Sequence, residues 1–499
     1  MNCRKLLAGV CVLLMCMLVE RVGFCEEASN FDETEALIFI LREKGVISNE
    51  EASRFLQIYQ KTSQADREEN SAIRREYDEK LNAYEEKYKQ QDAYLDRKID
   101  EFRAEMLYNQ VPDWVSKMKW KGSIRSRYQA DLFDKHNAEL LKSDDFTELA
   151  NTRRDRHRAR IRARLDLLTN IGEGVQAGIR LSTGSEKDPV STNDTMGDYF
   201  NKDGLTVDRA YLAWQPVPSL TLLGGRFANP WLSTDLVWDR DVNFEGLALS
   251  TQFFSVKDSH FFFTLGGFPL QEEEWHQDKW LFGYQLGRYF KPRADLSYQF
   301  AVAYYDFKNI SGRRNSVDRP GEKDYSMPLF MQKGNSLMDI DPAEADILPA
   351  LASDFNEVDV TARIDCAFFY PINVVVQLDF VTNVGFDQKD VAEKQGEDSV
   401  PEDTSGYQVS ITVGHEKTKK LGQWQCYFAY KHLEADAMVD AFTDSDFHLG
   451  GTNAKGWVLG AQAGIAKNTW VAAKWISADE ILGPPLAIDV VQLDLNVSF

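Results

Sequence analysis

From Trp114 to the end of the chain, apolar and polar residues alternate one by one over short stretches. In the terminal segment VVQLDLNVSF, Val491, Leu493, Leu495, Val497 and Phe499 interleave with Gln492, Asp494, Asn496 and Ser498. Side chains of a strand point to its two faces in turn, so this segment is a ribbon with one greasy side and one wet side. In RDRHRARIRARLDLL the pattern is sharper. Ala159, Ile161, Ala163, Leu165 and Leu167 alternate with Arg158, Arg160, Arg162, Arg164 and Asp166. MKWKGSIRSRYQAD puts Trp120, Gly122, Ile124 and Tyr128 on one face and Lys119, Lys121, Arg125 and Arg127 on the other. Further period-two stretches cover 174–184, 204–215, 218–228, 242–252, 260–268, 279–290, 295–307, 357–369, 372–383, 405–416, 421–433, 454–465, 468–478 and 487–499.

Those are about sixteen strands, each near or above the ~10 residues that a tilted strand needs to cross a bilayer. Short turns (NIGE, PVPS, KPRA, YPIN, AKNT) alternate with long polar segments at 131–153, 185–203, 308–356, 384–404 and 434–453. Trp and Tyr gather towards the strand ends. A soluble sandwich has no reason to alternate its loops so regularly. The pattern predicts an all-β transmembrane barrel over 113–499, antiparallel and up-and-down, with its tight turns on the periplasmic side. Backbone groups cannot stay unpaired in lipid, so the sheet must close by pairing its last strand with its first.

Residues 26–112 follow a helical period. ETEALIFILREKGVISNEEASRFLQIYQ reads as a short helix pair within 26–65: Gly45 breaks it, and Ser48 with Glu51 forms a capping box that starts the second helix. Over 66–112, Ile73, Tyr77, Leu81, Tyr84, Tyr88, Leu95, Ile99, Phe102 and Met106 recur at fours and threes, with Gln91 filling one slot, before Pro112 stops the helix. That is a coiled-coil seam with a stutter. Ahead of both, MNCRK and the apolar run Leu6–Val19 form a signal peptide over 1–25, too short to span a bilayer as a helix.

Composition adds three constraints. A formal charge of −21 over 499 residues leaves no basic footprint for nucleic acid. The mean hydropathy of −0.41 is compatible with a membrane barrel, because lumen-facing residues dilute the lipid-facing ones. Four of the six cysteines leave with the signal, and Cys366 and Cys426 fall on apolar phases of strands, as small lipid-facing residues and not as a bridge.

An exported barrel that ends on an alternating strand with a terminal Phe resembles the porins of Gram-negative outer membranes. More narrowly, RDRHRARIRARL, DRAYLAWQP, LLGGRFANPW and DSDFHLGGTN resemble the putative porin family, over most of the chain after Trp114. The resemblance implies a sixteen-stranded homotrimer in the cell outer membrane, its N-terminal region in the periplasm, passing small hydrophilic solutes. It also implies that Phe499 is a signal read by the barrel assembly machinery. It names no solute.

A porin selects by pore width and by the charge on its lining. The arginines face away from the apolar, lipid-contacting phase, so Arg125, Arg127, Arg158, Arg160, Arg162, Arg164 and Asp166 are the candidate pore lining. The column is either an anion path or a structural ladder neutralised by inward acids such as Asp166, Asp359 and Asp365. Segment 308–356, with Asp339, Asp341, Glu344 and Asp346, either folds inward as a constriction or stays a solvated outer loop. Asp444 and Asp446 fit either a divalent-cation site or ordinary turn chemistry. The seven histidines form no nucleophile-base pair or zinc cluster, and neither a cofactor nor a catalytic site is expected. A second reading makes the barrel an anchor, with the helical region tethering it to peptidoglycan or another envelope component.

Overall fold

The computed structural model describes residues 41–46, 48–108, 115, 117–142, 146, 148–342 and 347–499, and within the long helix it leaves undescribed the side chains of 59–60, 62–78, 81, 85 and 102–108. The signal peptide, Pro112, Trp114, Glu344 and Asp346 lie outside those residues. The chain divides into a unit before residue 117 and a unit running from Lys117 to Phe499.

The first unit is dominated by α1, Asn49–Tyr108, a single 60-residue helix. Its length is about 90 Å at 1.5 Å per residue. Its start is built as the sequence implies. The Glu51 backbone N–H donates to Ser48 Oγ at 3.2 Å, and the Ser48 N–H donates to Glu51 Oε2 at 2.9 Å. The two bonds satisfy amides that have no partner inside the helix. Gly45, at φ +68, allows the turn before it. The helix runs unbroken across residue 65, where the sequence pattern changes from helix pair to coiled coil. Of the seam residues whose side chains are described, Tyr84, Tyr88, Leu95 and Ile99 are all exposed.

The second unit is a closed antiparallel barrel. Its strands are β1 (Lys119–Phe133), β2 (Arg156–Gly172), β3 (Val175–Ser182), β4 (Thr206–Val217), β5 (Leu220–Ala228), β6 (Asn243–Val256), β7 (Ser259–Gln271), β8 (Lys279–Arg293), β9 (Leu296–Lys308), β10 (Asn356–Phe369), β11 (Ile372–Asn383), β12 (Ser405–His415), β13 (Trp424–Leu433), β14 (Ala454–Ala466), β15 (Thr469–Glu480) and β16 (Ala487–Ser498). Each pairs with its successor, and β1 pairs with β16 from Ser123↔Ser498 to Phe133↔Ile488. The terminal ribbon is therefore the seam. Phe499 continues the pairing by exchanging backbone hydrogen bonds with Gly122 at 2.9 and 3.0 Å. Its ring lies so close to Gly122 that a Cβ there would come within 2.2 Å of it.

The alternation sorts as expected on β16, where Leu493, Leu495 and Val497 are exposed and Gln492 and Asn496 are buried on the inner side. Cys366 and Cys426 stand on the non-neighbouring strands β10 and β13, in the outward phase, with no disulfide. One end of the barrel carries turns as tight as 172–175, where Gly174 is at φ +77 and a Cβ would meet the Gln215 carbonyl oxygen at 2.3 Å.

The other end carries the long segments, with one addition. Residues 229–242 form a further long connection, and it folds inward. Its apolar residues, in NPWLSTDLVWDRDV, cannot stay in water without cost, and they bury against inward residues of β5 to β9. Trp231 meets Tyr305 with ring centroids 5.6 Å apart, and Trp238 meets Phe244 at 4.9 Å. The lumen is thus not polar throughout. An aromatic cluster fills one side of it.

Candidate functional site

The opposite wall carries the arginines, brought together by β1, β2 and β16. Strand pairing sets Arg125 beside Arg162, Arg127 beside Arg160, and Arg127 beside Asp494 across the seam. Side chains directly opposite one another on a sheet lie only about 5 Å apart at Cβ, so these cations need neutralising partners.

Most have one. Arg158 donates from Nη2 to Asp131 Oδ2 at 2.6 Å. Arg127 grips Asp494 with both prongs of its fork, Nε to Oδ1 at 2.7 Å and Nη2 to Oδ2 at 2.9 Å, and adds Asp446 at 3.3 Å. Bidentate geometry of this kind is the strongest form of the pair. Arg164 reaches Asp241 at 2.6 Å, and Arg125 bonds Asn193 Oδ1 with Asp494 at 3.9 Å. Two differ. Arg160 has, among the described residues, only neutral acceptors, Gln129 Oε1 at 3.3 Å and Ser191 Oγ at 3.5 Å. Among the described residues Arg162 has no hydrogen bond and no carboxylate within 4 Å, and its Nε is buried without a partner.

The acids in this ladder are not those the sequence suggested. Asp166 pairs with Arg180 at 2.7 Å, and Asp365 with Arg363 at 2.8 Å. Among the described residues Asp359, fully buried on β10, has no hydrogen-bond partner for either oxygen. Asp131, Asp241, Asp446 and Asp494 do the neutralising. Asp241 comes from the inward loop 229–242, and Asp446 from segment 434–453.

That second segment is tied to the first through Lys431. Its side chain on β13 is almost fully buried, 3.0 Å from Asp235 and 2.6 Å from Asp444. Arg240 lies 3.1 Å from Asp235. Burial works against ionising Asp235, but Lys431 and Arg240 overcome it and hold its carboxyl well below the usual carboxylate range. Asp239 goes the other way: burial and the nearby Asp444 and Asp241 push its carboxyl up. Thr234 anchors the loop again, donating from its backbone N–H to Asp379 Oδ2 at 3.1 Å. Asp444 and Asp446 therefore spend their charge on Lys431, Arg127 and Lys474.

Segment 309–355 is organised otherwise. Asp339 Oδ1 accepts the backbone N–H groups of Asp341 and Leu348, both at 3.1 Å, closing a small hairpin, and Asp341 accepts from Asn315. The segment's longer-range hydrogen bonds include those to 434–453 and to α2 (Gln388–Gln395), through Gln332, Lys333, Asn335 and Arg314, and one from Lys279 of β8 to the Met327 carbonyl oxygen. Among the described residues, none of these bonds reaches the arginines.

The sequence profile of the putative porin family matches residues 32–499. The chain belongs to that family. Like other outer-membrane porins it is an outer-membrane β-barrel channel. Its barrel is similar to the outer membrane channel DcaP of Acinetobacter baumannii, at 11% identity over 77% of this chain and 97% of that one, with a TM-score of 0.41. It is similar also to OprB of Pseudomonas putida, at 11% identity over 80% and 96%, TM-score 0.48. The trimer form of OmpT from Vibrio cholerae aligns at 9% identity over 77% and 99%, TM-score 0.41. No curated protein sequence matches this porin.

Proposed function

We propose that this porin is a passive, water-filled path favouring small anionic solutes. The observation that carries the reading is the pair Arg160 and Arg162, two inward guanidiniums without a carboxylate partner beside four neutralised ones. A fixed cation on a low-dielectric wall raises the local concentration of anions. The acidic outer segments pull towards cations, but they act across water and are screened over about 8 Å at physiological salt.

The test is the reversal potential of purified protein in a planar bilayer under a potassium chloride gradient. Wild type should prefer chloride, and Arg160→Gln with Arg162→Gln should shift the preference towards potassium, more at low salt than at 1 M. An unchanged reversal potential would make the column purely structural.

The exposed row Tyr84, Tyr88, Leu95 and Ile99 favours a partner for α1. We assign that partner first to further copies of the chain, in a homotrimer whose helices lie in the periplasm. An envelope-tethering role would use the same row. Deleting 26–112 separates the two: loss of trimers supports the first, and loss of envelope attachment with trimers intact supports the second.

A further inference from the structure

Between loop 229–242, the inner wall of β6 to β9, and segments 309–355 and 434–453 lies a cavity of about 600 Å³. Its walls are mainly apolar, with Trp238, Phe244, Phe268, Leu281, Phe307 and Phe442 among them. One buried cation stands in this wall. Lys279, the first residue of β8, is 4% exposed, and its Nζ donates to the Met327 carbonyl oxygen at 2.6 Å. Among the described residues no carboxylate lies within 4 Å of that ammonium. The second large cation of the lining, Arg226, is already paired with Glu245.

An ammonium has three donors, and a buried charge is expensive unless it is paired. Here it has one neutral acceptor and faces an aromatic cavity of the size that holds small molecules. We propose that the cavity binds small amphipathic monocarboxylates, the apolar body against the aromatic wall and the carboxylate on Lys279. The two remaining acids of the lining do not oppose this strongly. Glu186 is exposed, and burial pushes the Asp440 carboxyl up to about 7, so much of it is neutral at neutral pH. The proposal rests on the channel reading for how a solute arrives, though not for whether it binds.

The full-length protein in planar bilayers tests both, with benzoate as the probe and benzamide as its neutral isostere. Benzoate should block or modulate the current in a concentration-dependent way, with at least tenfold higher affinity than benzamide. Lys279→Met should cut benzoate affinity at least tenfold and leave benzamide unchanged. Lys279→Gln serves as the second variant, and heat-modifiable gel mobility checks that each barrel is folded. Calorimetric titration of benzoate into detergent-purified protein runs in parallel. Conductance without any benzoate binding would overturn this site and leave the channel standing. Binding without conductance would keep the site and overturn the channel reading. Equal benzoate affinity in wild type and both variants would remove Lys279 from the site.

Discussion

Lys431→Met tests whether one buried charge holds the lumen in its narrowed form. The methionine keeps the packing volume and leaves Asp235 and Asp444, on two different loops, without the ammonium they share at 3.0 and 2.6 Å. Breaking a buried ion pair from one side costs about 3–5 kcal/mol. Asp235 keeps the largely exposed Arg240 at 3.1 Å, so the lower end applies. About 3 kcal/mol is roughly a 150-fold drop in the ratio of docked to undocked loop. Single-channel recordings should then show frequent excursions to higher conductance, and trypsin should cleave after Arg240 faster than in wild type. Asp235→Asn combined with Lys431→Met should cost less than the two single changes added. Acid gives a second check. The folded carboxyl of Asp235 lies below its unfolded value of 3.8, so its contribution is complete above pH 3.8 and is lost only as the pH falls through the lower folded value. The part of docking that Asp235 supplies, read as the effect of Asp235→Asn, should therefore be the same at pH 7 and at pH 4.5. Lys431→Met channels with wild-type dwell times and wild-type cleavage would refute the reasoning.

Asp440 predicts the opposite pH trend: its folded value of about 7 exceeds the unfolded 3.8, so the packing of 434–453 should weaken as pH rises from about 4 to 7, by up to ~4 kcal/mol. Asp440→Asn should flatten that slope in thermal denaturation of the detergent-solubilised barrel, leaving the share of other buried acids such as Asp436, whose carboxyl burial also pushes up, and an identical slope in the variant would rule Asp440 out. Trp238→Ala should cost about 3–5 kcal/mol by opening a cavity in the aromatic cluster, read as a lower temperature for loss of heat-modifiable mobility. Gly122→Val places a carbon where the Phe499 ring now lies, and like deletion of Phe499 it should reduce the yield of folded barrel in outer-membrane fractions. Normal yields from both changes would free the seam of any part in assembly.

Period-two alternation made the strands legible almost one for one, because a closed barrel imposes the same inside-outside rule on every strand. The seam was legible for a related reason, since a ribbon such as 490–499 needs a partner on both edges. The inward loop was harder. In 229–242, Trp231, Leu236, Val237 and Trp238 have no single period, and their burial is decided by residues of β8 and β9 far along the chain. The acids of the arginine ladder were hidden in the same way: Asp446 and Asp494 lie 319 and 367 positions from Arg127, and no local pattern joins them. The DSDF segment did carry a signal, its carboxylates: Asp444 Oδ1 accepts the Asp446 backbone N–H at 3.0 Å, the turn chemistry that the sequence offered, while the lysine and arginine partners stand on other strands, which no local pattern shows.

The bond between Gly122 and Phe499 also sets a clock. Until β16 is in place, β1 has one edge with no neighbour, and so does whichever strand precedes the gap. A partly assembled chain therefore carries two open sheet edges, and such edges recruit other chains. Because the closing contacts span nearly the whole barrel sequence, they form late, after the largest loss of chain freedom. Anything that stops assembly short of β16 leaves a product with its hydrogen-bonding rim exposed, unable to heal itself by local rearrangement. Such a chain must be held extended or be destroyed, and the interval before closure is when this protein is most exposed to both fates.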